Sequence, residues 1–168
     1  MQRKNRSIFV IFLLAYILPA QQPSPQQWKE YTFPADNFGI VAPSSPRTYP
    51  DPKAEAVRIY HWDLGPGIVL TLRTGVRPDC RDTLQRIKDS KEKDRPKAFV
   101  PGSIKDVSQN QLPGLESESH YPGYWLAERV YCGKNKAYSL SLAYPVNQSK
   151  PKIVDRMFNS FRLLNSSE

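Results

Sequence analysis

Residues 57–76 read VRIYHWDLGPGIVLTLRTGV. Apolar and polar side chains nearly alternate on both sides of Gly65-Pro66-Gly67. A period of two marks a strand whose faces meet different surroundings, and a Gly-Pro-Gly run favours a tight reversal. The stretch predicts an antiparallel hairpin of 57–64 against 68–76, with Ile68, Leu70, Leu72 and Val76 on one face.

The pattern continues toward the C-terminus. Residues 104–109 read as a weak strand and 115–120 as another, with Glu116 and Glu118 on one face and Ser117 and Ser119 on the other. Pro122-Gly123 predicts a type II turn. Residues 124–132 and 137–144 follow as strands about Gly133-Lys134-Asn135. Tyr124, Leu126, Val130 and Cys132 share a face of the first; Tyr138, Leu140, Leu142 and Tyr144 share one of the second. Ser139 and Ser141 on the opposite side fit a sheet with one wet face. Ser149 is placed to cap a closing helix whose apolar side is Ile153, Val154, Met157, Phe158 and Phe161.

Two short strands, 28–33 and 38–42, are expected before the hairpin, joined by a turn at Asp36-Asn37. The Pro- and Ser-rich stretch 43–54 reads as loop. After the hairpin, Arg77-Pro78-Asp79 opens a helix with Cys80, Leu84 and Ile87 at i, i+4 and i+7, running out in the alternating charges of 88–95. The fold class is α+β, an antiparallel sheet flanked by helices. Residues 28–164 are expected to be one domain and 165–168 a polar tail.

The chain begins MQRKNRSIFVIFLLAYILPA. A basic start, an apolar run from Ile8 to Leu18 and a small residue at Ala20 describe a secretion signal over 1–20. A retained anchor is its alternative, because Leu18 is large for its place. Residues 21–27, QQPSPQQ, read as a polar linker. The expected location is periplasmic or extracellular. Cys80 and Cys132 are the only cysteines. In an oxidising compartment they are expected to form a disulfide, with two buried thiols as the alternative.

At this point the sequence resembles the PsbP-like family, and within it the bacterial exported, DcrB-like members. The residues that carry the likeness are Phe38-Gly39-Ile40-Val41 with Pro43 and Pro46, and Leu112-Pro113-Gly114-Leu115. Ala127-Glu128-Arg129-Val130-Tyr131, Ala137-Tyr138-Ser139-Leu140 and Phe158-Asn159-Ser160-Phe161-Arg162 complete it. The resemblance implies an α/β/α sandwich and a non-enzymatic role in assembling or stabilising other proteins.

The chemistry-bearing residues give no motif. His61 lies mid-strand and His120 ends one; each reads as a strand or turn residue before it reads as a base or ligand. Glu116, Glu118 and Glu128 are candidates for a carboxylate cluster, although Arg129 and Lys136 are equally placed to neutralise them. Trp28, Trp62 and Trp125 suit core or rim more readily than a sugar platform. No catalytic residue, metal or cofactor is assigned. The net charge of +8 falls to +5 once Arg3, Lys4 and Arg6 leave with a signal. That excess serves solubility first, and it also suits an acidic partner or an anionic membrane surface. The functional expectation is an exported protein that binds or stabilises an envelope protein, with no nucleic acid. Small-ligand or lipid binding between sheet and helices is the alternative.

Overall fold

A computed structural model describes residues 27–94, 100 and 103–164. The signal, most of the linker and the tail lie outside the described residues. Lys29–Phe33 (β1) and Phe38–Ala42 (β2) pair about a 3-10 turn at Pro34–Asp36. Asn37 closes that turn at φ 58°, a left-handed conformation that Asn tolerates better than most residues. A two-residue strand, Arg162–Leu163, flanks β2 on its other side.

The larger sheet has seven strands: Arg47–Asp51 (β3), Ala54–Gly65 (β4), Ile68–Val76 (β5), Lys105–Gln109 (β6), Leu112–Tyr121 (β7), Tyr124–Cys132 (β8) and Lys136–Pro145 (β9). Their order is β3-β4-β5-β9-β8-β7-β6, with every pairing antiparallel. The 57–76 hairpin is present, with Trp62 opposite Leu70 and Tyr60 opposite Leu72. Leu70 and Leu72 in turn face Leu142 and Leu140 across β9. Gly123 takes φ 91°, the left-handed angle a type II turn needs at its third position.

Helices cover the two faces of this sheet. Cys80–Asp94 (α1) lies on the outer face against β7 and β8. Lys152–Ser160 (α2) and the small sheet lie on the inner face, where Val154, Met157 and Phe158 are buried. The core fills the inner layer: Phe38, Ile40, Tyr60, Trp62, Leu70, Leu72, Tyr138, Leu140, Leu142 and Phe161 are all at most 2% exposed. The result is the α/β/α sandwich, an α+β fold rich in antiparallel strand.

Two local readings change, the loop at 43–54 and the cap at Ser149, and two shared faces find their surroundings. The stretch 43–54 is not all loop, because Arg47–Asp51 pairs with β4. Its Pro50 is tolerated because β3 is an edge strand, where one row of backbone N–H groups needs no partner. Val76 is 59% exposed, since β5 runs past the small sheet that covers Leu70 and Leu72. The face of β8 with Val130 and Cys132 is the outer one, under α1; Ala127 and Tyr131 are the residues of β8 in the inner core. Ser149 does not cap α2: Pro151 stands at the cap and makes no side-chain bond there.

Candidate functional site

Asp36 shows how the polar residues of this fold are used. Its carboxylate accepts from Arg58 Nη1 at 2.7 Å, from the Tyr60 hydroxyl, and from Lys136 Nζ at 3.4 Å. Its carbonyl accepts from the Tyr138 hydroxyl at 3.1 Å. Burial alone would raise its pKa. Hydrogen bonds from Tyr60 and Thr74 and the charges of Arg58 and Lys136 outweigh that and hold it below the ordinary value. Every donor is a strand residue of the large sheet, so Asp36 ties the small sheet's turn to it. Nothing in the sequence marked this residue beyond its place in a turn.

The residues singled out for chemistry are dispersed. His61 lies on the outer face of β4, its Nε2 3.2 Å from Asp63, which also holds Arg47 at 2.7 Å. His120 lies on the inner face and stacks on Trp125 with ring centroids 4.5 Å apart. Four strand spacings separate the histidines, roughly 19 Å, on opposite faces. The glutamates divide likewise. Glu116 accepts from Arg129 Nε at 2.5 Å and Glu118 from the Tyr144 hydroxyl at 2.6 Å, both on the inner face. Glu128 is on the outer face, where Ser141 donates to it at 3.3 Å. Lys136 serves Asp36. Among the described residues no group of three or more His, Cys, Asp or Glu is arranged to hold a metal ion. Trp62 is in the core; Trp28 and Trp125 pack at its rim.

Cys80 and Cys132 are joined, with Cα atoms 5.5 Å apart. The bond pins the first turn of α1 to the end of β8. Leu84 and Ile87, the rest of the apolar stripe, are only half-buried, so the disulfide is a large part of what seats this helix.

Beside α1 the outer face opens into a groove of about 300 Å³, lined by Val57, Gly75, Ile87, Val130, Ala137 and Ser139. Arg73 and Arg77 stand at its margin. Small side chains at Gly75, Ala137 and Ser139 make the floor, and they continue along β9 as half-buried Ser141 and Ala143. A larger depression of about 540 Å³ lies around the disulfide, with Asp79, Arg81, Asp82 and Lys134 in its wall. Opposite charges there cancel, and its apolar lining is Leu112, Pro113 and Leu163 beside the disulfide. Between the sheet and α2 the recess is about 240 Å³, below the usual range for a ligand cavity.

No family model matches the chain, and no curated protein matches it in sequence. Solved structures do. The solution structure of cyanobacterial PsbP (CyanoP) from Synechocystis sp. PCC 6803 superposes with a TM-score of 0.57 at 10% identity, over 83% of this chain and 94% of that one. The fold is PsbP-like. A crystal structure from Bacteroides thetaiotaomicron gives a TM-score of 0.52 at 15% identity, over 83% of this chain and 50% of that chain. At these identities the PsbP-like likeness extends to the fold and stops there. The PsbP-like sandwich places both the groove and the disulfide on the α1 side of the large sheet. No helix among the described residues is long and apolar enough to cross a membrane.

Proposed function

We propose that this chain is a non-enzymatic accessory protein of the cell envelope, exported to the periplasm or beyond, which holds a protein partner on the outer face of its seven-stranded sheet beside α1. Its place among exported, DcrB-like bacterial members is part of that reading. The observation that carries it is the groove itself: a floor of small, half-exposed residues on the sheet, with Arg77 at the edge. Such a surface accepts an extended or helical segment at little steric cost, and the Arg77 guanidinium selects for an acidic residue flanking it, Arg73 being held by Asp51. Export is supported by the leader-like first 20 residues and by the disulfide, which belongs to an oxidising compartment. The pairing of the candidate acid–base residues into structural contacts supports a role without chemistry.

The test is affinity capture of the tagged protein from its native host after cross-linking. Arg77→Glu reverses charge at the groove, and Ser139→Trp fills it. Each is expected to abolish recovery of the same partner while leaving the melting temperature near that of the parent. Equal recovery with both substitutions would rule the groove out.

A further inference from the structure

The groove beside α1 has one wall that the sheet does not supply. Its floor comes from strands, whereas Thr83 and Ile87 come from α1. That wall is lightly seated. Of the side chains described in α1, Cys80 alone is fully buried, at 3% exposed, while Leu84 and Ile87 are half-buried. Lys88 reaches Asp106 of β6 at 3.1 Å, but Asp106 is largely exposed, and an exposed ion pair adds little. A 15-residue helix is marginal alone and depends on what it packs against. Here the buried anchor is the disulfide itself, from Cys80 in the first turn to Cys132, 4% exposed, at the end of β8.

The sheet does not share this dependence. Its core of Leu70, Leu72, Leu140 and Leu142 lies on the inner face, under α2 and the small sheet, away from α1. Loss of the bond therefore frees the helix as a local event and leaves the sheet folded. The bond is also within reach. Both cysteines line the depression of about 540 Å³, so a small thiol can approach them without unfolding of the strands.

We infer that the Cys80–Cys132 bond is a redox gate on the groove: the oxidised protein holds its partner, and the chain with both cysteines as thiols does not. The inference rests on the reading of the groove as the partner's seat and adds what controls it. Closing the bond takes one proton and one electron from each thiol and passes them to a disulfide-bearing oxidant, which leaves as a dithiol. Opening it is the reverse, with a dithiol as donor. Oxidation thus sets where the protein works. The wall is completed in an oxidising compartment, and a chain still inside the cell, with its thiols reduced, engages no partner there.

The test compares two states of the protein, in the form in which it accumulates in its host, with a photo-cross-linking residue at Ser139. One is oxidised; the other is reduced with dithiothreitol and blocked with iodoacetamide. Each is mixed with an envelope extract of the host, and each is followed separately by hydrogen exchange. Reduction is expected to speed exchange severalfold over 80–89, to leave β5 and β9 protected, and to lower the yield of the adduct at 139 severalfold. Equal adduct yield from the two states would overturn the inference, as would unchanged protection over 80–89. Loss of protection across β5 and β9 would overturn it too, because reduction would then be general unfolding. The double variant Cys80→Ser, Cys132→Ser repeats the comparison without alkylated sulfur and is expected to match the reduced protein. No adduct from the oxidised protein contradicts the groove reading, and the gate with it; the same adduct from both states contradicts the gate alone.

Discussion

Asp36, in the turn between β1 and β2, accepts a 2.7 Å hydrogen bond from Arg58 on β4, 22 residues further along the chain. The carboxylate is almost wholly enclosed, while the guanidinium is about half-exposed. The two ends of this pair therefore respond differently to truncation. Asp36→Ala strands the buried Tyr60 hydroxyl and takes the carboxylate from Arg58 and Lys136, and is expected to cost roughly 1–3 kcal/mol. Arg58→Ala leaves Asp36 its other donors and costs less. Urea unfolding of the two variants checks the order. The pair also sets acid sensitivity. Asp36 is held below its ordinary pKa, as is Asp51, chiefly by the Lys53 backbone N–H and then by Arg73. A carboxylate so depressed contributes stability that is complete above its unfolded pKa of about 4 and is lost as pH falls through the folded value. Stability should fall steeply below about pH 4, and less steeply in Asp36→Asn.

Alkali acts in the opposite sense. Burial, and then the Asp36 hydrogen bond, pushes Tyr60 up to about 12; burial does the same for Tyr138. Tyr144 and Tyr131 are raised too, by burial first. A raised phenol contributes stability that is fully present below the unfolded value of about 10 and is lost as pH rises toward the folded one. The tyrosinate absorbance of these four should therefore appear only with unfolding. A single smooth titration of all nine tyrosines would contradict the packing.

Cys80 and Cys132 are 52 residues apart, so chain entropy puts the bond's contribution at about 4 kcal/mol. Cys132→Ala is expected to lose most of that. The loss should be concentrated in α1, whose Leu84 and Ile87 are only half-buried. Hydrogen exchange would show it as early loss of protection over 80–89, with β5 and β9 still protected.

The Ser119 hydroxyl is fully buried on the outer face of β7 and has no hydrogen-bond partner among the described residues. Removing an unpaired buried hydroxyl relieves its desolvation cost. Ser119→Ala should be neutral or stabilising by up to about 1 kcal/mol in urea unfolding, whereas Leu142→Ala in the inner core should cost about 2–5 kcal/mol.

The hairpins were legible because alternation and turn chemistry agree, as in Trp62–Leu70 across Gly65-Pro66-Gly67 and in the β8–β9 pair about Gly133. The α/β/α layering came from the family resemblance, and superposition on a PsbP structure supports it. Other features were hidden for definable reasons. β3 was read as loop because Pro46 and Pro50 mask five residues of edge strand. The inner and outer faces of β8 could not be told apart by period two, since Leu126 and Val130 alternate with Ala127 and Tyr131 and both sets are apolar. Asp36 was missed because all its partners are distant in sequence, Lys136 by 100 residues. The groove beside α1 is made of Gly75, Ala137 and Ser139, small residues with no chemical signature until the strands are placed side by side.

The central claim, a protein partner seated on the outer sheet face, is tested most directly by a photo-cross-linking residue at Ser139 in the native host. Placed there, it should yield one reproducible adduct with an envelope protein, abolished by Arg77→Glu. The same residue at Thr48, on the edge strand away from the groove, should yield none. Absence of an adduct at 139 in protein confirmed outside the cytoplasm, or the same adducts from both positions, would contradict the account.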